Sequence, residues 1–369
     1  MRKIITLLLI IASMLSLVAC SDDYPEIKST DEESRVVMTV KYDEKTYEIK
    51  YELYRALFIA LRQTVDNGDA SVWSGEDKDK YVEKIDALIK ERISEIYSIF
   101  HIASKAGIDV YSKEYNDTVK NIIALSVEGG EFEETEISGF GGDYDKYLEH
   151  LKEQGINYAV QDLLIRYWIA SEQIYTYYAG NLSTEEHIDN IVSGNIKYTE
   201  EDVYNFYNSE NCVRVIRAFL SDKFFSEKRV GEIHSEIIER AKKGENEVAN
   251  YIIGISTAGA TDIKNGEVIA MHNLDRQYYS ELINYAFTIP TFEVSPVIKV
   301  ETGYENGYII IYKTVKSNLH FEECYEQIEA VYLQNEVGKI IDTAADSIKN
   351  GLTETDVLKN LDRSLISID

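Results

Sequence analysis

The sequence predicts a mostly helical α+β chain, in which long helices stand on both sides of a smaller mixed segment. Three observations predict it. Apolar residues recur at three-to-four spacing over 78–105, 158–178 and 321–349, the period of a helix with one buried face. Between the second and third of these, 213–220, 298–300 and 308–312 are short runs rich in β-branched and apolar residues, the mark of buried strands. Only 3 prolines occur in 369 residues, so little interrupts the helices.

The first 20 residues read as an export signal. Arg2 and Lys3 precede an apolar run over 4–18 that only Thr6, Ser13 and Ser16 break. That run is shorter than the roughly 20 apolar residues a spanning helix needs, and a small residue, Ala19, stands where a signal is cut. The stretch Leu17-Val18-Ala19-Cys20 resembles the bacterial lipobox. The resemblance implies cleavage after Ala19 and diacylglycerol on the Cys20 thiol. Residues 21–34 are acidic and polar and are expected to form a flexible tether.

A helical lobe is expected over 35–198. Residues 36–40 and 46–49 alternate as a hairpin about Asp43-Glu44-Lys45. A helix begins near Leu53, and a long one runs over 78–105 with Gly107 as its stop. Ser112 caps the next, and Gly129, Gly130, Gly139, Gly141 and Gly142 mark a loop. Helices follow over 144–155 and 158–178. The texture changes near Ser193-Gly194-Asn195. Over 199–317, Thr199 and Asp202 make an acidic capping box and 213–220 reads as a strand. Residues 226–243 read as a helix closed by Gly244, and 298–300 and 308–312 as strands joined at Glu305-Asn306-Gly307. The remainder, 318–369, is dominated by a predicted helix over 321–349.

Composition excludes whole classes of function. A 44% hydrophobic content supports a packed core. The net charge of −27 repels nucleic acid, so no nucleic-acid partner is expected. There is no CxxC, HExxH, P-loop or GxSxG pattern, so no metal and no cofactor are expected. Cys212 and Cys324 read as buried small hydrophobes, with a disulfide between them as the alternative in an oxidising compartment. His101, His150, His187, His234, His272 and His320 stand at no motif spacing and read as surface or satisfied residues. The pair Glu133-Glu134 reads as solvated charge.

Helices flanking an α+β insert, together with several local stretches, resemble the extracytoplasmic parvulin-type foldases, the PrsA and SurA group. The stretches are 40–51, Ile93 with its run to Gly107, 144–155 with 159–174, and 198–207. Within the insert they are 239–249 and 285–298. The resemblance implies a discontinuous N- and C-terminal helical chaperone lobe (35–198 and 318–369) and an inserted parvulin-like domain of the FKBP-like superfold (199–317). It also implies a protein lipid-anchored on the extracytoplasmic side of a bacterial membrane. Its partners would be unfolded or nascent exported polypeptides, and a homodimer is left open.

Departures from the family matter as much. The resemblance places the family's two histidines at or near Arg217 and near Ile309, its Gly-Gly turn at Asn265-Gly266, and its Cys or Asp among 257–262. The candidate prolyl pocket is Arg217, Phe219, Tyr278, Leu282, Phe287 and Ile309. With both histidines absent, the expectation is a folding factor with a degenerate peptidyl-prolyl isomerase-like domain. An active isomerase and a non-catalytic envelope scaffold are the alternatives.

Overall fold

The computed structural model describes residues 24–132, 135–137, 139–180, 194–256, 264–272, 276–301 and 306–366. The described residues are mostly helical with small antiparallel sheets, the α+β class that the sequence predicts. They fall into two units. One takes in 24–177 and 341–366, the other 178–180 and 194–340. Cys20, Glu133-Glu134, His187 and 257–262 lie outside the described residues.

The first unit opens with a hairpin of β1 (Val36–Tyr42) and β2 (Lys45–Lys50), in which Val40 lies opposite Tyr47. Asp43 turns the hairpin at φ 53°, a left-handed conformation that Asp tolerates better than most residues. Helix α1 (Tyr51–Asp66) packs on α2 (Lys78–Lys105) through a core that includes Leu53, Tyr54, Phe58, Ile85, Ile89 and Ile93. Trp73 is fully buried beside Phe58, ring centroids 5.0 Å apart, and its indole N–H donates to Asp66 at 2.8 Å. Gly107, at φ +78°, ends α2, and the Ile108 N–H reaches back to the Ala103 carbonyl. Helix α3 (Lys113–Glu128) is capped by the Ser112 hydroxyl, which accepts from the Tyr115 N–H. A short hairpin of β3 (Gly130–Phe132) and β4 (Thr135–Ile137) follows. Then come α4 (Tyr144–Glu153) and α5 (Tyr158–Ala179).

The unit is completed from the far end of the chain. A two-residue strand, Thr353–Glu354, pairs antiparallel with β1, with Met38 opposite Glu354. The Thr355 hydroxyl donates to the Val36 carbonyl at 2.9 Å. Buried Arg363 pairs with Asp86 at 2.8 Å and donates to the Tyr54 hydroxyl at 3.2 Å, while Tyr54 itself donates to Asp86. A charge this deeply buried is tolerable only because it is paired and hydrogen-bonded.

Residues 24–34 correct an expectation. Read as a free tether, they lie fastened along the first unit. The Tyr24 ring packs on Tyr144 at 5.0 Å and its hydroxyl donates to Glu128 at 3.2 Å, while the Tyr144 hydroxyl donates to the Pro25 carbonyl at 2.8 Å. Acidic composition suggested disorder, but the aromatic ring and the capping pair Thr30 and Glu33 supply local contacts that composition averages away.

The second unit begins with α6 (Glu200–Asn208), whose capping box between Thr199 and Asp202 is formed. Its elements then run β5 (Cys212–Ser221), α7 (Glu227–Ala241), α8 (Glu245–Ile253), β6 (Glu267–Ala270), α9 (Arg276–Thr288), β7 (Ile298–Glu301) and β8 (Asn306–Thr314). The strands form one antiparallel sheet in the order β6-β5-β8-β7. Alternation sorts its side chains. Ile216, Ala218, Leu220, Ile310 and Tyr312 pack under α7 and α8. Val213, Val215, Ile309, Ile311, Ile298 and Val300 pack under α9.

Two expectations about this unit need correction. Asn306 and Gly307 are not the hairpin turn but the first rungs of β8, opposite Glu301 and Val300. Glycine is needed at 307 because a Cβ there would sit 2.5 Å from the Leu220 carbonyl oxygen. The predicted helix over 321–349 is two, α10 (Asn318–Glu323) and α11 (Tyr325–Gly351), parted at Cys324, whose φ is −121°.

Candidate peptide-binding face

The candidate residues converge on one face of the second unit's sheet. Arg217 and Phe219 follow Val213 and Val215 on β5, two residues apart each time, so all four point to the α9 side. Register places Phe219 opposite Ile309 on β8, and Arg217 opposite Ile311. Leu282 and Phe287 reach the same layer from α9. The Tyr278 backbone belongs to α9, but its side chain lies outside the described residues.

Burial divides these residues. Ile309 and Leu282 are closed into the core, at 1% and 5% exposure. Phe219 and Phe287 are only partly buried against that core, together with Tyr279, Tyr285 and Ile289. The layer therefore has a closed floor and an apolar, aromatic margin. Lys313 fastens the α9 end of this margin, its ammonium donating to the carbonyls of Phe287 and Ile289 at 3.3 and 3.0 Å. Burial pushes the Lys313 amine below its usual range.

Beside the margin stands a charge pair. The Arg217 Nε lies 2.9 Å from Glu267 Oε1, both half-buried. Val215 is the direct partner of Glu267 across β5 and β6, so Arg217 reaches it diagonally. Ser256 braces the same strand. Its hydroxyl accepts from the Phe219 N–H at 3.1 Å and donates to the Phe219 carbonyl at 3.3 Å. Neither Glu267 nor Ser256 was legible as part of the site. Their only signal was Gly266, whose φ of +76° turns the chain into β6.

The chemistry available follows from these groups. A guanidinium donates hydrogen bonds but does not give up its proton, so Arg217 can hold a carbonyl oxygen and cannot act as a general base. Partly exposed rings accept an apolar side chain or a proline ring. None of the five described histidines belongs to the α9-side layer. His234 bonds the Ser295 carbonyl from α7, and His272 follows β6, its N–H donating to Asn335. His320 is buried against Tyr207 at 2.9 Å, its pKa lowered to about 4 by burial and by Arg214. In the first unit, His101 bonds Tyr47 at 3.1 Å and His150 bonds Gln154 at 2.9 Å.

Cys212 and Cys324 are buried and not joined in a disulfide. Burial raises the Cys212 thiol to about 12, far from a reactive thiolate. A cavity of about 360 Å³ in the first unit is lined by Glu83, Asp86, Ala87, Lys90, Lys349 and Glu354. Lys90 and Glu354 bridge it at 2.7 Å. Among the described residues, no helix is long and apolar enough to cross a membrane.

No protein-family profile matches the chain, and no curated protein matches it. Among solved structures it is similar to the foldase protein PrsA from Streptococcus pneumoniae strain Canada MDR_19A. The identity is 16%, covering 78% of this chain and 95% of that one, with a TM-score of 0.25. It is also similar to PrsA from Bacillus subtilis (18% identity, 91% and 99% covered, TM-score 0.23). A third similar structure is the foldase protein PrsA from Lactococcus lactis (13% identity, 90% and 100% covered, TM-score 0.23). At such identities and TM-scores the likeness assigns no role to any residue of this chain.

Proposed function

We propose that the protein is an extracytoplasmic folding factor, lipid-anchored through Cys20, that binds unfolded exported polypeptides. On this reading the second unit is a parvulin-like module that holds peptide without isomerising it efficiently. The supporting observation is the α9-side margin, where Phe219 and Phe287 are partly exposed and Arg217, two residues before Phe219 on β5, is fixed by Glu267, with no histidine among the layer's described residues. Isomerisation must lower a barrier of about 18–20 kcal/mol, and a margin whose guanidinium is already paired with Glu267 and whose described residues include no histidine suits binding better than catalysis.

A protease-coupled assay on a proline peptide tests the catalytic half, with a rate near the uncatalysed one expected. Suppression of aggregation of a reduced, unfolded client tests the binding half. Phe287→Arg should weaken suppression several-fold while leaving the circular dichroism unchanged. Leu282→Arg is a poor probe, because Leu282 is core and a buried charge there unfolds the layer. Full isomerase rates that Phe287→Arg abolishes would establish the active enzyme instead. No suppression at molar excess would sink the folding-factor reading, and one stoichiometric partner in a pull-down would favour a scaffold.

A further inference from the structure

We propose that residues 24–34 act as a strap that presents one end of the first unit to the bilayer, the end formed by the last turn of α3 and the first turn of α4. The inference rests on the lipid anchor at Cys20 and adds an orientation to it. Four Cα-to-Cα steps separate Cys20 from Tyr24, a reach of at most about 14 Å however those residues are arranged. Tyr24 is held by Glu128 at the end of α3 and by Tyr144 at the start of α4. Pro25 is held by the Tyr144 hydroxyl.

The strap is fastened at its other end too. Ser29 donates to Glu52, and the Asn157 amide donates to Glu33 at 3.1 Å and to Glu52 at 2.9 Å. The Tyr51 N–H bonds the Arg35 carbonyl at 2.8 Å, and the Glu52 N–H bonds the Glu33 carbonyl at 3.0 Å. A loose 21–34 segment would let the unit wander about 50 Å from its anchor. The docked strap confines that end to about a quarter of the distance. The presented end is net acidic, with exposed Glu128 and Asp145 and half-buried Asp143 against the exposed Lys146, which pairs with Asp143 at 3.0 Å. Anionic headgroups therefore repel it within a Debye length of about 8 Å. Proximity comes from the anchor and the strap, and charge keeps the end hovering above the headgroups.

The test uses the full lipidated protein in vesicles, with a donor fluorophore on Lys146→Cys in the first turn of α4 and an acceptor on the headgroups. Strong energy transfer is expected. A 20-residue Gly-Ser insertion between Asp23 and Tyr24 adds about 25 Å of coil and should cut the transfer at least twofold. Tyr24→Ala with Tyr144→Ala, which frees the strap, should lower it by a smaller factor. Transfer that is weak in the native chain, or unchanged by the insertion, would overturn the strap with the anchor intact. A protein that fails to float with the vesicles and carries no lipid on Cys20 would overturn the anchor itself.

Discussion

The first unit buries Arg166 and Arg363 and the second buries Arg214, and Arg363 and Arg214 tie together parts of the chain at very different separations. Arg363 joins Asp86 and Tyr54, 277 and 309 positions away. Arg214 joins Glu245 at 2.8 Å and the carbonyls of Asn265 and Val315, 51 and 101 positions away. Both are near-fully enclosed, at 7% and 8% exposure. The second unit's lock closes over a contiguous stretch, whereas the first unit's lock needs both ends of the sequence. Stability in the first unit is thus hostage to its last residues in a way the second unit's is not.

The sharpest way to break this comparison is to delete residues 353–369. The first unit should lose hydrogen-exchange protection in α1 and α2, while β5 and β8 stay protected. Loss in both units, or in neither, would refute it. Next in size is Arg363→Leu, which strands a buried Asp86 and should cost about 3–5 kcal/mol in the first unit's urea transition. Adding Asp86→Leu should restore much of that. Arg214→Leu should cost less, about 1–3 kcal/mol in the second unit's transition alone, because Glu245 is partly exposed and keeps its bond from Thr314.

Acid should separate the units further. His320 has a folded pKa of about 4 against an ordinary 6.5, so between those values the unfolded chain takes a proton that the folded one refuses. The second unit should be fully stabilised above pH 6.5 and lose on the order of 2–3 kcal/mol as the pH falls to about 4. His320→Phe should flatten that slope in denaturation curves measured across the window. His101 in the first unit is also shifted down by burial, but Asp43 opposes the shift, so its slope should be shallower. The smallest effect should come from Lys78→Ala, which removes the exposed pair with Asp362 at 3.1 Å. It should move the first unit by less than about 1 kcal/mol.

Local signals were legible in the sequence. The helix over 78–105, the Ser112 cap and the Thr199–Asp202 box are fixed by residues within a few positions of one another, and all three appear as read. The strand over 213–220 was legible because apolar β-branched residues occupy both faces of a central strand. What distance decides was hidden. Arg363 carries no mark of burial in a polar C-terminal stretch, and β6 is too short to announce itself. Of the candidate site, Phe219 and Phe287 reach a common face, but only register reveals that Ile309 belongs to the floor. The Arg217–Glu267 pair depends on a diagonal between strands 50 residues apart, which no window of sequence displays.

The two-residue strand Thr353–Glu354 sets a schedule. A chain threaded out N-terminus first presents the hairpin of β1 and β2 early, yet the β1 edge waits for a neighbour made some 310 residues later. Through that interval β1 is an open template for other strands. The second unit, complete by residue 340, emerges before the wait ends. A lipid placed on Cys20 at the outset would tether the unfinished first unit to the membrane while its closing piece is still being delivered.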